Sequence, residues 1–289
     1  VPDVAYVNGR IGPLAAARVA AQDRGFLFAD GVYEVLRTYD GRIFELERHL
    51  DRLDASLRGL RLRSPLGRPA LSRLLADLHR RSGARDVRLY IQVTRGAGPR
   101  RHAFPRRATP TLVAWAERLP ARRRRAPPPG VAVVTRPDPR WARCDLKCVA
   151  LVANVLAKQE ALDAGAYDTI FVGPGGAVRE ATAANVFVVR GGTLWTHRLG
   201  PEVLSGVSRA VVLELARAGG LRVREAVVRL AALRVADEVF LSSTMQEILP
   251  VVRVDGRRVG NGRVGPVTQS LWESFQRRVR RAPATGGAT

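Results

Sequence analysis

GAVREATAANVFVVRGGTLW, residues 176–195, holds a glycine turn, one carboxylate at Glu180, an apolar run, a Gly-Gly pair and a second short apolar run. The Gly-Gly pair provides the positive φ angles of a tight hairpin, so VVRGGTLW (188–195) reads as two antiparallel strands. Asn-Gly or Asp-Gly does the same in AYVNGRI (5–11), TYDGRIF (38–44) and VVRVDGRRV (251–259), which puts antiparallel strands in both halves of the chain. Between them lie helical stripes. In ELERHLDRLDASLRGLRL (45–62), Leu46, Leu50, Leu53, Leu57 and Leu60 recur every three or four residues. Leu71, Leu74, Leu75 and Leu78 predict a second helix that stops at Gly83. VRLYIQVTRG (87–96) and TPTLVAWAE (109–117) read as strands.

At ERLPARRRRAPPPG (117–130) this periodicity gives way to charge and proline, the composition of a domain boundary. Beyond it the pattern restarts with VAVVTR, a helix through the segment that holds the lysines, TIFVG, NVFVV, a helix through SRAVVLELARAGG, and DEVFLSS. The expectation is an α+β protein of two α/β lobes with mixed or antiparallel sheets, joined by a short linker. The boundaries read as an N-terminal domain over 1–118, a linker over 119–129, a C-terminal domain over 130–282 and a disordered tail over 283–289.

The chain has 289 residues, 46% of them hydrophobic, enough for two cores. No stretch approaches the roughly 18 apolar residues of a membrane span, so the expected location is the cytoplasm. Cys144 and Cys148 are the only cysteines, too few for a disulfide framework or a four-ligand zinc site. The net charge is +22, which attracts anions of any kind and raises a basic nucleic-acid-binding module as a rival hypothesis. The arginines are spread along the whole chain, however, and no aromatic residues interleave with the Arg122–Arg125 run as on a base-stacking surface. Compositional drift toward arginine accounts for the charge, and no nucleic-acid partner is expected.

That drift singles out the lysines. Of 48 basic residues, only Lys147 and Lys158 are lysines, both within RCDLKCVALVANVLAKQEA (143–161). Arginine stays protonated and cannot act as an amine nucleophile, whereas lysine can form a Schiff base with a carbonyl. Lys147 stands at a junction between a strand-like run and a helix. Lys158 lies inside the helix near the Leu151, Val155 and Leu162 stripe, where a long stem also reaches solvent.

Three other segments carry candidate chemistry. In VLSGVSRAVVLELARAGG (203–220), Ser205 or Ser208 reads as a helix cap, Gly206 lets the backbone come close, and the N–H groups there suit a phosphate; an ordinary capped helix has the same signature. Glu180 is either a solvated loop charge or a placed carboxylate. TRGAGPRRHAFP (94–105) sets Arg100 and His102 two apart on an extended loop, so both side chains can face one carboxylate, or simply solvent. A lysine amine, a phosphate cradle and a carboxylate for a pyridinium nitrogen are together the protein parts that pyridoxal 5'-phosphate requires.

EATAANVF, then LWTH, then VLSGVSR resembles the signature of the class IV, fold-type IV pyridoxal-phosphate aminotransferases. Within that family, DRGFLFADGVYEV, HLDRL, IQVTRGAGPRRHAFP, RCDLK, LAKQEA and FLSSTMQEILPV are most similar to the bacterial D-amino acid aminotransferases. The resemblance implies that Lys147 bonds the cofactor and shuttles the proton. It implies that Glu180 holds the pyridine nitrogen protonated and that Leu204 packs on the ring. Arg52, Gly206, Val207, Ser208, Ser243 and Thr244 would hold the cofactor and its phosphate. Tyr33 and Val35, with Arg100 and His102 from a partner subunit, would bind the substrate, so a homodimer with shared sites is implied. Lys158 matches a position without a covalent role. Ala183 and Met245 stand where the D-enzyme pattern has small hydroxylated residues and would border the substrate side chain. D-Alanine and 2-oxoglutarate are the expected substrates. Branched-chain L-aminotransferase, (R)-amine transaminase and aminodeoxychorismate lyase activities share the same cofactor machinery.

Overall fold

A computed structural model describes residues 3–107, 109–120 and 126–281; the Arg122–Arg125 run, the centre of the expected linker and the 283–289 tail lie outside the described residues. The chain divides into two compact units.

The first unit is built on β1 (Val4–Val7), β2 (Arg10–Pro13), β3 (Gly31–Tyr39), β4 (Arg42–Ile43), β5 (Val87–Thr94) and β6 (Thr111–Arg118). They form one antiparallel sheet in the order β2-β1-β6-β5-β3-β4. Its helices are α1 (Arg24–Phe28), α2 (Leu46–Gly59) and α3 (Arg68–Ser82). Alternation along β5 sends Val87, Leu89, Ile91 and Val93 to one face, where Leu50, Leu53 and Leu57 of α2 and Leu71, Leu74, Leu75 and Leu78 of α3 bury against them. Each such leucine contributes roughly 1.5–3 kcal/mol by leaving water. As expected, α3 stops at Gly83, whose φ of 63° is the left-handed conformation that glycine adopts without strain.

The same two-residue period puts Val32, Glu34, Leu36 and Thr38 of β3 on the buried face and turns Tyr33 and Val35 to the other. On that other face Tyr33 stacks on Tyr90 at 5.6 Å, and Tyr90 on Trp115 at 3.9 Å.

Leu146–Ala150, which the sequence boundaries assign to the C-terminal domain, packs with this first unit. Tyr33 N donates to Lys147 O at 2.9 Å, Val149 N to Gly31 O at 3.1 Å, and Lys147 N to Ser56 Oγ at 3.1 Å. Leu146 lies against Gly59, where any Cβ would collide with its side chain.

The second unit contains β7 (Val131–Pro137), β8 (Asp168–Gly173), β9 (Ala177–Ala181), β10 (Asn185–Arg190), β11 (Thr193–Thr196), β12 (Arg222–Glu225), β13 (Val228–Arg229), β14 (Glu238–Ser243), β15 (Glu247–Val254) and β16 (Arg257–Arg258). They form a mixed sheet in the order β12-β11-β10-β14-β15-β7-β8-β9-β13, with β16 beside β15. The pair Asn185 and Glu180 joins β10 back to β9 and closes a ring of strands. Val133, Ile170, Val186, Val188, Leu241 and Val251 fill its core. The helices that follow the lysine loop are α4 (Val152–Asp163), α5 (Val207–Ala218), α6 (Leu230–Arg234) and α7 (Pro266–Arg281). The helix expected through the lysine segment thus contains Lys158 but begins after Lys147. Among the described residues, no helix is long and apolar enough to cross a membrane.

Leu75 is fully buried among the leucines of α2 and α3 and the strands beneath them. Leu75→Ala is expected to lower the unfolding free energy by about 2–5 kcal/mol, read from the shift of a urea unfolding midpoint at constant slope.

Candidate active site

Lys147 is held in an irregular segment by its own N–H on Ser56 and its carbonyl on Tyr33. Its Nζ donates to Tyr33 Oη at 3.3 Å and lies 4.4 Å from the centre of the Tyr33 ring. Tyr33 therefore anchors both ends of this lysine.

Behind Tyr33, on the buried face of β3, Glu34 is fully enclosed. Arg52 grips it with two bonds, Nε to Oε1 at 2.7 Å and Nη2 to Oε2 at 2.8 Å, and His49 Nδ1 lies 2.8 Å from Oε2. Burial works to raise the Glu34 carboxyl's pKa, but the Arg52 charge and the bonds from Arg52 and His49 outweigh it and hold the group well below the usual carboxylate range. Burial pushes the His49 pKa down, and the charges of Arg52 and Lys147 add to that against the pull of Glu34. A neutral ring beside a carboxylate must present its Nδ1 hydrogen to Glu34. Neither Glu34 nor His49 was among the residues singled out from sequence. The available signal was an acid on the apolar phase of VYEVL, with a histidine and an arginine three apart on one helix.

In the second unit Glu180 lies near the end of β9, where the ring of strands closes. Its Oε1 accepts from Arg140 Nη1, and its Oε2 accepts from Leu204 N at 2.9 Å and Asn185 Nδ2 at 3.3 Å. Arg140 is itself fixed by Asp138, with Nε to Oδ1 at 2.9 Å and Nη2 to Oδ2 at 2.8 Å, and Arg179 adds a bond to Asp138 at 2.8 Å. Burial opposes the charge on Asp138, but the two arginines prevail and keep it below the ordinary range. Glu180 is thus a buried, oriented carboxylate and not a solvated loop charge. Burial pushes the nearby Cys144 thiol up to about 11, which leaves it a poor nucleophile at neutral pH.

Asn185 Nδ2 also donates to Leu204 O at 2.9 Å, so one amide ties the Glu180 strand to the turn that enters α5. The N-cap position of α5 falls to Gly206, between the two serines considered as caps, and Ser208 lies buried in the first turn with Val207. A Cβ at Gly206 would collide with Asn185 Oδ1. The backbone is therefore brought close at the N-terminus of a helix, where N–H groups and the dipole favour an anion.

Ser243, Thr244 and Met245 are half-buried where β14 turns into β15, with Gln246 N on Ser243 Oγ at 3.2 Å. Ala183 is exposed in the turn between β9 and β10. Arg100 and His102 are exposed on a loop and gather at Phe28, each 5.6 Å from its ring. Lys158 is engaged elsewhere: its Nζ donates to Tyr167 O and lies 4.0 Å from the Tyr167 ring centre. Of the two lysines, only Lys147 has its amine on a side-chain hydroxyl.

Residues 31–254 match the family described as amino-transferase class IV. The chain belongs to the class IV aminotransferases. It is 39% identical over 279 residues to the D-alanine aminotransferase of Listeria monocytogenes serotype 1/2a (strain 10403S), covering 96% of both chains. It is 36% identical over 273 residues to the D-alanine aminotransferase of Bacillus licheniformis, covering 94% of this chain and 95% of that one. Among solved structures it is similar to the branched-chain amino acid aminotransferase of Escherichia coli, with a TM-score of 0.89 at 26% identity over 96% of this chain and 94% of that one. The branched-chain amino acid aminotransferase of Thermobaculum terrenum, in its PLP form, gives a TM-score of 0.85 at 28% identity over 96% of this chain and 94% of that one.

Class IV aminotransferases are pyridoxal-phosphate enzymes. The chemistry of the donors present fits what the cofactor would need: a lysine amine, an oriented buried carboxylate, and a helix N-terminus headed by a glycine where a Cβ would meet Asn185 Oδ1.

The His49 environment predicts a pH dependence of stability. An unfolded-chain histidine titrates near 6.5, whereas the folded His49 resists protonation, so the unfolded state takes up more protons as pH falls and stability is lost in the acid direction. Glu34 adds a further loss below the ordinary carboxylate range, since its folded pKa is also depressed. The Tm is expected to fall between about pH 7.5 and about pH 5.5, and His49→Gln is expected to flatten that fall, read from thermal unfolding across the range.

Proposed function

We propose that this aminotransferase moves the amino group of a D-amino acid such as D-alanine to a 2-oxo acid such as 2-oxoglutarate, in two half-reactions that share one site. The observation that carries the reading is Lys147, held by three bonds around Tyr33 and Ser56 with its amine presented at a tyrosine hydroxyl. Similarity to D-alanine aminotransferases at 39% identity supports the choice of donor. When bound, pyridoxal phosphate supplies an aldehyde for the amine and a ring that draws electrons from the substrate Cα.

The chain's own residues then divide the work. Lys147 would hold the cofactor through Nζ and would move the proton at the substrate Cα. Glu180, oriented by Arg140 and Leu204 N, would hold a proton on the pyridine nitrogen, while Leu204 would cover the ring face. Arg52, Val207 and Ser208 hold the phosphate, with Gly206 admitting it and Ser243 and Thr244 at the β14–β15 turn. Arg52 keeps a fixed guanidinium plane because Glu34 grips it. Tyr33 and Val35 line the substrate side, and Arg100 and His102 bind the α-carboxylate, which decides the α-hydrogen that meets Lys147. Ala183 and Met245 border the substrate side chain.

The same reading includes a homodimer in which each protomer lends Arg100 and His102 to the other. It is supported by α4, whose Val152, Val155, Leu156 and Leu162 are 73%, 63%, 60% and 52% exposed. An exposed apolar surface of this kind is covered in a working assembly, here by a second copy. The enzyme's place is the cytoplasm, where the buried thiols Cys144 and Cys148 stay reduced.

The branched-chain L-aminotransferase reading is favoured by the solved structures to which this fold is similar. Two measurements separate the possibilities. Borohydride treatment of the yellow holoenzyme is expected to fix label on the Lys147 peptide, and Lys147→Arg is expected to abolish that label and lower turnover by at least about 10³-fold. In single half-reactions followed by cofactor absorbance, D-alanine is expected to convert the enzyme and L-alanine not; conversion by the L-isomer alone rejects the D-specific reading.

A further inference from the structure

We propose that Arg24 is the positioning residue for the loop that bears Arg100 and His102, and through that loop sets how tightly the enzyme holds the substrate carboxylate. The inference rests on the carboxylate role given to that loop above.

Arg24 opens the short helix α1. The Asp23 carboxylate caps α1 through Gly25 N at 2.8 Å and accepts the Thr111 hydroxyl at 2.6 Å, while Gly25 is pressed against Thr94 so closely that a Cβ would collide. The helix is thereby fixed to the ends of β5 and β6. From this base the buried Arg24 guanidinium spreads over three consecutive carbonyls of the loop: Nη1 donates to Arg101 O at 2.6 Å and Ala103 O at 3.5 Å, and Nη2 to His102 O at 3.2 Å. Its remaining edge, Nε, is held by Asp30 Oδ2 at 2.8 Å.

Asp30 also receives two bonds from Arg95, at 2.8 and 3.0 Å, and Arg95 goes on to Leu60 O at 2.8 Å and Arg61 O at 3.1 Å. The Arg95 guanidinium stacks 3.6 Å from the Phe104 ring centre and so holds the far side of the same loop. Two buried cations thus share one carboxylate, and five carbonyl dipoles offset the surplus positive charge. Burial works against the Asp30 charge, but the two arginines dominate and keep it ionised below the usual range.

The loop needs such a clamp to hold its shape. It carries Arg100, Arg101, Arg106 and Arg107, like charges that repel one another, and its described residues form no regular helix or strand. Drawing the carbonyls of 101–103 inward to one fork leaves the side chains of Arg100 and His102 exposed, gathered at Phe28. Lysine cannot replace this fork, because an ammonium at the end of a flexible stem lacks a planar array of donors that spans three acceptors.

The test compares Arg24→Lys, Asp30→Asn and Arg100→Ala with the wild-type holoenzyme. It measures kcat and KM for D-alanine, the inhibition constant of propionate as a carboxylate without an amine, and the rate of tryptic cleavage after Arg101 by mass spectrometry. For Arg24→Lys, KM and the propionate constant are each expected to rise about tenfold, with kcat within about twofold and faster cleavage after Arg101. Asp30→Asn is expected to move all three the same way by less, and it carries the test if Arg24→Lys does not fold. Arg100→Ala is expected to raise KM and the propionate constant without touching the clamp. If Arg100→Ala raises both while the clamp variants leave both unchanged, or lower kcat alone, Arg24 does not position the loop. If Arg100→Ala itself changes neither, the carboxylate reading fails and this inference with it.

Discussion

A carboxylate on the leucine side of a sheet must be matched or neutralised, and in the first unit Glu34 is matched by Arg52 and His49 of α2. That ion pair fixes the rotation of α2 about its own axis. With the rotation set, Ser56 one turn further along receives Lys147 N, and Gly59 one turn beyond that leaves room for Leu146. The helix carries two stripes: leucines at 50, 53 and 57 enter the core, while positions 49, 52, 56 and 59 face the charged strand and the lysine segment. Removing either partner would leave an uncompensated buried charge, which is why such pairs hold their geometry firmly even where they add little net stability.

The second unit uses the same device. Asp138 holds Arg140, Arg140 holds Glu180, and the Glu180 carboxylate then fixes the turn at Leu204 through a backbone N–H. Asn185 joins the strand to that turn from the other side. The Glu180 carboxylate is thus turned by a guanidinium whose own plane is set by a second acid, Asp138. In the first unit Asp30 does this for Arg24 and Arg95.

This pattern revises the reading of the +22 charge. Drift toward arginine describes the surface, where a positive charge and a long stem are all that is asked. Inside, Arg24, Arg52, Arg95 and Arg209 are buried and bonded to more than one partner group or through more than one edge of the guanidinium. There arginine is used for its planar fork, which an ammonium on a flexible stem does not reproduce. Lys147 is the converse case, an amine placed on the Tyr33 hydroxyl in a chain that otherwise uses arginine.

Periodicity and turn residues suffice for the hairpins, the leucine stripes of α2 and α3, and the stop at Gly83, because each is decided within a few residues along the chain. Composition singles out the two lysines, and motif resemblance names the family. What local pattern leaves open is decided by contacts between distant segments: that the Lys147 loop adds itself to the start of β3, that Lys158 is taken up by a carbonyl, and that Gly206 and not a serine stands at the head of α5. Glu34 and His49 carry no visible signal alone, since a charged residue on an apolar phase becomes meaningful only when its partner is known. The sequence by itself determined which elements form and which two residues carry a side-chain amine. The tertiary structure decided which carboxylates are buried, and therefore which arginines hold them, because desolvation depends on everything packed around a group and not on its neighbours in the chain.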